Sequence, residues 1–225
     1  MAKMLDENIQ KQVREVFADV QEPVSILFFG SKTENCDYCD QTAQMLEEIV
    51  SLSDKLHLEV YDLEENADLA EKFHVDKVPG FAMVGHKDGQ LVDYGIRFAG
   101  IPAGHEFSSL VHDLVLVSKQ DSGLSPATRE FLHGLDQPVI LQVFVTPTCP
   151  YCPRAVVLAH QMALESEMVE AEMVEATEFP ELANRYGVSG VPHTTINFGA
   201  GEMVGAAPEA MMIEQIKESL VKQVI

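Results

Sequence analysis

The sequence predicts an α/β protein made of two copies of one unit in tandem, each a central mixed sheet flanked by helices. Three observations carry that expectation. The four cysteines fall as two Cys-x-x-Cys pairs, Cys36-Asp37-Tyr38-Cys39 and Cys149-Pro150-Tyr151-Cys152. The offset of 113 residues that superimposes the pairs also carries Leu69 onto Leu182, Ala70 onto Ala183, Phe73 onto Tyr186, Val75 onto Val188, Val78 onto Val191 and Pro79 onto Pro192, without a gap. Short apolar runs alternate with segments of helical periodicity in the same order in both halves. With small insertions the match extends to Pro23-Val24 and Pro138-Val139 at one end and to Gly100 and Gly205 at the other.

Each unit opens on a helix, residues 6–19 in the first and 126–134 in the second, where Ser125 is the expected N-cap and Pro126 suits the first helical position. An apolar run follows, 24–29 or 139–145, whose length and β-branched content indicate a buried strand. Behind each Cys-x-x-Cys the pattern turns helical (41–52; 154–165), then extended (58–63; 169–174), then helical again (67–73; 180–186). Val-Pro leads into a hairpin, 81–99 or 194–204, with turn signals at Lys87-Asp88-Gly89 and Phe198-Gly199-Ala200-Gly201, and a last helix closes each unit. The order βαβ then ββα builds a sheet with helices on both faces. The polar stretch Ser118 to Gly123 reads as the linker, dividing the chain into domains 1–118 and 119–225.

A chain of 225 residues, 46% of them hydrophobic, suffices for two small cores. The formal net charge of −21 would repel nucleic acid and anionic membrane surfaces, so neither is an expected partner. A solvated acidic surface or adaptation to a salty cytoplasm would each produce such a charge. The N-terminus runs directly into charged residues with no signal-peptide pattern, and no apolar run approaches a membrane span. A cytoplasmic setting is therefore expected, and in a reducing compartment paired cysteines point to catalysis or metal binding. No metal is expected. The two pairs lie far beyond zinc-ribbon spacing, and no His or Cys cluster near either would complete a tetrahedron.

A strand, then Cys-Pro-Tyr-Cys opening a helix, then Gly-Val-Ser-Gly-Val-Pro ending at Pro192, resembles the thioredoxin superfamily, and Cys-Pro-Tyr-Cys is similar to a glutaredoxin active site. Two such units resemble the tandem protein disulfide oxidoreductases of thermophilic archaea and bacteria, over residues 5–223. The resemblance implies dithiol–disulfide exchange at Cys36, Cys39, Cys149 and Cys152. It also implies that Pro79 and Pro192, equally spaced from their cysteines, are cis-prolines facing the Cys-x-x-Cys and shaping a peptide groove.

In such a unit the first cysteine, Cys36 or Cys149, is expected at the helix N-cap, where unpaired N–H groups and the macrodipole favour the thiolate. The second, Cys39 or Cys152, lies one turn on and resolves the mixed disulfide. Pro150 is expected at the first helical position, and Asp37, its counterpart, should oppose thiolate formation at Cys36. Arg154 adds a favourable charge after the second pair. With Tyr38 and Tyr151 these form the tuning set, and they favour the second pair as the dominant one. His193 invites a role beside Cys149, but a lone histidine at the start of a strand is more often packed or solvated.

Two departures stand out. Neither strand before a cysteine pair carries the buried acid of thioredoxins, leaving the proton carrier unidentified. Lys77-Val78-Pro79 and Gly190-Val191-Pro192 replace the Thr-Val-Pro of glutathione-using glutaredoxins, so no cofactor is expected. The expected partners are protein thiols and disulfides, with a thioredoxin-reductase-like flavoprotein as electron source. An alternative is a dedicated carrier to a peroxiredoxin, as in the N-terminal module of alkyl hydroperoxide reductase flavoproteins, which is expected to keep one redox pair. A non-catalytic peptide-binding or chaperone module would need no cysteine, and both pairs here are intact.

Overall fold

The computed structural model describes residues 3–33 and 36–222. The first half runs α1 (Glu7–Phe17), β1 (Val24–Gly30), α2 (Cys39–Val50), β2 (Leu56–Asp62), α3 (Ala67–Lys72), β3 (Gly80–Lys87), β4 (Gln90–Ala99), a 3-10 turn (Gly104–Glu106) and α4 (Phe107–Lys119). The second runs α5 (Pro126–His133), β5 (Val139–Val145), α6 (Cys152–Glu165), β6 (Val169–Glu175), α7 (Pro180–Arg185), β7 (His193–Ile196), β8 (Gly201–Val204) and α8 (Glu209–Lys222).

Local chemistry sets the element ends. Asp6 caps α1 by accepting from the Ile9 N–H at 2.8 Å, and Ser125 caps α5 with Pro126 behind it. Asp88 and Gly89 both take positive φ, as a tight hairpin between β3 and β4 requires. Of the stretch read as linker, Ser118 and Lys119 instead complete α4. The Ser118 hydroxyl is buried, accepting from the N–H groups of Gln21 and Glu22 and donating to the Glu22 carbonyl, and this holds the last turn of α4 helical.

Each half forms a four-stranded mixed sheet, and the two join edge to edge into one sheet of order β2-β1-β3-β4-β6-β5-β7-β8. The seam is parallel: Ile96, Arg97, Phe98 and Ala99 of β4 lie beside Ala171, Glu172, Met173 and Val174 of β6. β1 and β5 are buried along nearly their whole length because helices cover both faces, which is why they read as continuous apolar runs. One face carries α3 and α7 over two small apolar clusters. The other carries the remaining helices over a core that runs unbroken through both halves, from Val13 and Ile26 to Val143 and Ile216.

Polar contacts reinforce the seam. Lys77 reaches Glu172 at 2.9 Å, Glu172 also accepts from Gln142 at 2.9 Å, and Arg97 pairs with Asp93 beside them. On the opposite face Phe98 stacks on Phe81 at 4.6 Å and meets the His160 ring at 4.9 Å. A core shared in this way should unfold as one unit. Phe98→Ala is expected to cost about 3–5 kcal/mol while leaving a single denaturation transition; two transitions, or a loss below about 1 kcal/mol, would contradict a common core.

Candidate redox site

The two cysteine pairs occupy equivalent places. Each follows the C-terminal end of a central strand, β1 or β5, and opens a helix, α2 or α6. Both are closed as disulfides, Cys36–Cys39 and Cys149–Cys152. Gly30 ends β1 where a side chain would crowd Cys39: a Cβ there would stand 3.4 Å from its sulfur.

The helices begin two residues before the periodic pattern at 41 and 154, and two residues after the start that a cap at the first cysteine implies. Both start at the second cysteine, with Tyr38 and Tyr151 at the N-cap, so Cys36 and Cys149 lie two residues before the cap and Asp37 and Pro150 belong to the turn rather than to the first helical position. In the first pair Tyr38 sits outside helical geometry at φ −117°, ψ 6°, whereas Tyr151 of the second is in the right-handed helical region at φ −95°, ψ −19°. The electrostatic contact persists all the same. The Cys152 N–H, an unpaired donor of the first turn, points at Cys149 Sγ at 3.2 Å.

Accessibility separates the cysteines of the second pair. Cys149 keeps 7% exposure whereas Cys152 has none, so only Cys149 can meet a partner first. Tyr38 and Tyr151 stand out from the surface at 45% and 66%, and Asp37 and Pro150 are exposed between the cysteines. Arg154 is exposed on α6 and lines a groove with Ser109, His112 and Gln161 between α4 and α6. His193 is buried at the start of β7, 3.4 Å from Glu202, and is a packed residue.

The Val78–Pro79 and Val191–Pro192 bonds are both cis. Each proline precedes the strand that pairs with the cysteine-bearing strand, Gly80 lying beside Phe29 and His193 beside Phe144. The Pro79 and Pro192 carbonyls accept from the Gly100 and Gly205 N–H groups, both at 2.8 Å.

Sequence reasoning missed Glu106. After β4 the chain turns across the seam: the Ile101 N–H donates to Glu178 at 2.7 Å and the His105 N–H donates to the Pro147 carbonyl at 2.9 Å, two residues before Cys149. Glycine is required at both bends. Gly100 (φ 92°) faces Glu175 and Glu178, and at Gly104 (φ 60°) a Cβ would strike the Pro147 carbonyl. The turn packs on α6, the helix that Cys152 opens, and buries Glu106 to 1% exposure. Its Oε2 accepts from the Ser109 hydroxyl at 2.6 Å while Oε1 has no partner. Burial, reinforced by the charge of Asp113 and opposed by the Ser109 bond, pushes this carboxyl up to about 7.

The first pair differs. Asp62, at the end of β2 beside Gly30, is held below the ordinary carboxylate range by the Glu65 N–H above all, with those of Lys32 and Glu64. It stays charged. Glu34 and Asn35 lie outside the described residues, as do the last three residues of the chain.

Among the described residues no group of His, Cys, Asp and Glu is arranged to hold a metal ion, and no helix is long and apolar enough to cross a membrane.

Comparison with known proteins agrees with this geometry. A family model described as a thioredoxin domain matches twice, over residues 24–110 and 139–218. The crystal structure of a protein disulfide oxidoreductase from Aeropyrum pernix superposes with a TM-score of 0.85 at 34% identity, covering 96% of this chain and 94% of that one. The N-terminal N/C domain of alkyl hydroperoxide reductase AhpF from Enterococcus faecalis superposes with a TM-score of 0.85 at 27% identity, over 94% and 99%. Among curated proteins, the corresponding alkyl hydroperoxide reductase AhpF of Pseudomonas aeruginosa is 27% identical over 203 residues, which is 89% of this chain but 36% of that protein. The chain thus spans about a third of the length of such relatives. With two matches covering most of its length, this chain belongs to the thioredoxin domain family and carries the domain twice.

Proposed function

We propose that this protein is a dithiol–disulfide oxidoreductase for protein substrates, in which Cys149–Cys152 carries most of the turnover and Glu106 moves the proton that resolution requires. The observation behind it is that a barely accessible cysteine and a buried cysteine stand at the start of α6, and a near-neutral carboxyl is buried in the turn packed on that helix. In the reductive direction the Cys149 thiolate attacks one sulfur of a client disulfide, forming a mixed disulfide and releasing the other client sulfur as a thiolate. Glu106 takes the proton of the Cys152 thiol; the Cys152 thiolate attacks Cys149 Sγ, closing the protein's own disulfide and expelling the second client thiolate. Two electrons pass to the client, whose thiolates take up two protons.

Pro79 and Pro192, with the projecting Tyr38 and Tyr151, are assigned to the groove that receives the client chain. Asp37 and Arg154 are assigned to tuning, with Arg154 acting along the α4/α6 groove. A cytoplasmic setting suits a chain that must be re-reduced, and a flavoprotein reductase of the thioredoxin-reductase kind suits it as electron source. The likeness to alkyl hydroperoxide reductase AhpF favours a second reading, a carrier from such a flavoprotein to a peroxiredoxin. Both readings use the same thiol chemistry.

Two outcomes are expected. Cys149→Ser should remove most dithiothreitol-dependent insulin reduction and Cys36→Ser should cost less, whereas equal losses would refute the asymmetry. In single turnover, decay of the Cys149 mixed disulfide should accelerate as pH rises through about 7, because Glu106 accepts a proton only when ionised. Glu106→Gln should slow that decay by roughly 10²-fold and flatten its pH dependence; an unchanged profile would remove Glu106 from the mechanism.

A further inference from the structure

Below the carboxyl assigned to proton transfer lies a second buried acid that the thiol chemistry does not use. Glu106, Ser109 and Asp113 fall on one stripe of the 3-10 turn and α4, and Cys152, Ala159 and His160 fall on one stripe of α6. The stripes face each other, since Asp113 Oδ2 lies 2.6 Å from His160 Nδ1, two turns from Glu106 and Cys152. Asp113 and His160 have no exposure at all. Asp113 Oδ1, His160 Nε2 and Glu106 Oε1 are each buried without a hydrogen-bond partner.

A buried Asp–His hydrogen bond is a poor way to fasten two helices, because desolvation of the carboxylate offsets most of the attraction and matched apolar side chains would pack as well. Buried apolar residues of the same helices, Leu110, Leu114, Val156 and Ala159, and the Phe98 ring against His160 make up much of this core. What the contact does supply is a fixed Asp113 carboxylate whose charge acts on Glu106.

We propose that Asp113 and His160 are a positioning pair for the proton carrier, His160 fixing one buried carboxylate between the two halves so that its charge acts on Glu106. The proposal rests on the assignment of Glu106 given above. Among the described residues, the titratable and charged groups on the elements packed against this turn include Glu178, which accepts from the Ile101 N–H. From α4 come Asp113 and the half-exposed His112, whose Nδ1 is 3.7 Å from Asp113 Oδ1; α6 contributes His160 and, at the rim, Arg154; its own turn contributes His105. Burial opposes the charge of Asp113, yet His160 and His112 together hold it below the ordinary carboxylate range, so it remains an anion when Glu106 titrates. The Ser109 hydroxyl, bonded to Glu106 and bordering the open groove of about 430 Å³ that also holds His112, gives the proton a way to solvent.

The test is the pH profile of mixed-disulfide decay on Cys149 in the full chain. Asp113→Asn removes the charge and keeps the shape, so the rising limb should move down by about one pH unit, the effect of one carboxylate about two helical turns away. Asp113→Glu, which restores the charge, should return the limb toward the parent position. His160→Gln leaves the carboxylate without its partner and should move the limb up; it decides the matter if Asp113→Asn does not fold. A merely structural pair would lower thermal stability in these variants and leave the limb where it is, and that result overturns the proposal. If instead the limb survives in Glu106→Gln, it is the assignment of Glu106 that fails, a distinct outcome.

Discussion

Four backbone positions on each side of a seam, Ile96–Ala99 against Ala171–Val174, determine how this molecule works. Their parallel pairing merges two small sheets into one and lets a single apolar core run beneath both halves. It also aligns the C-terminal end of β4 with that of β6. The turn leaving β4 must then cross the loop that precedes Cys149, and the bonds from Ile101 to Glu178 and from His105 to Pro147 hold it there. A loose tether between the units would leave Glu106 in solvent, ionised and far from any thiol.

The join is head to tail, and a head-to-tail join cannot treat two repeats alike. The first half lends its closing turn to the second half's redox pair, while among the described residues no such turn reaches Cys36–Cys39. β2, the counterpart of β6, is left at the sheet edge with Val60 exposed. Asp62 occupies the place corresponding to Glu175 and is held as an anion by backbone N–H groups. The asymmetry that Asp37, Pro150 and Arg154 suggest from sequence therefore has a second source, the turn carrying the buried Glu106, which packs on the helix that Cys152 opens.

Much of this is legible in the sequence. The repeat, the order of elements and the four cysteines follow from spacing and periodicity, because helices and buried strands of one unit depend on contacts close in sequence. The cis geometry of Pro79 and Pro192 follows from resemblance, not from composition. Other features depend on tertiary path. Ile96 to Ala99 read as an ordinary hairpin strand, and nothing in their identity distinguishes an edge that is paired from one that is free. Glu106 lies 43 residues before Cys149, in the other repeat, and an acid ahead of Phe107 reads as a residue of a helix start. The helices start at Cys39 and Cys152, between the start that a cap at the first cysteine implies and the onset of periodicity at 41 and 154, because the turn inside each pair carries no apolar pattern to mark it.

Everything proposed for the second pair turns on a carboxyl from one half, buried in a turn packed on α6 of the other and pushed up to about 7. Infrared difference titration of the protein against its Glu106→Gln variant observes that group directly, since the subtraction removes Glu178, the other carboxyl pushed up to about 7. The expected result is a protonated-carboxyl band that disappears with a midpoint near 7. A midpoint between about 4 and 5, the range of a solvated glutamate, would contradict it.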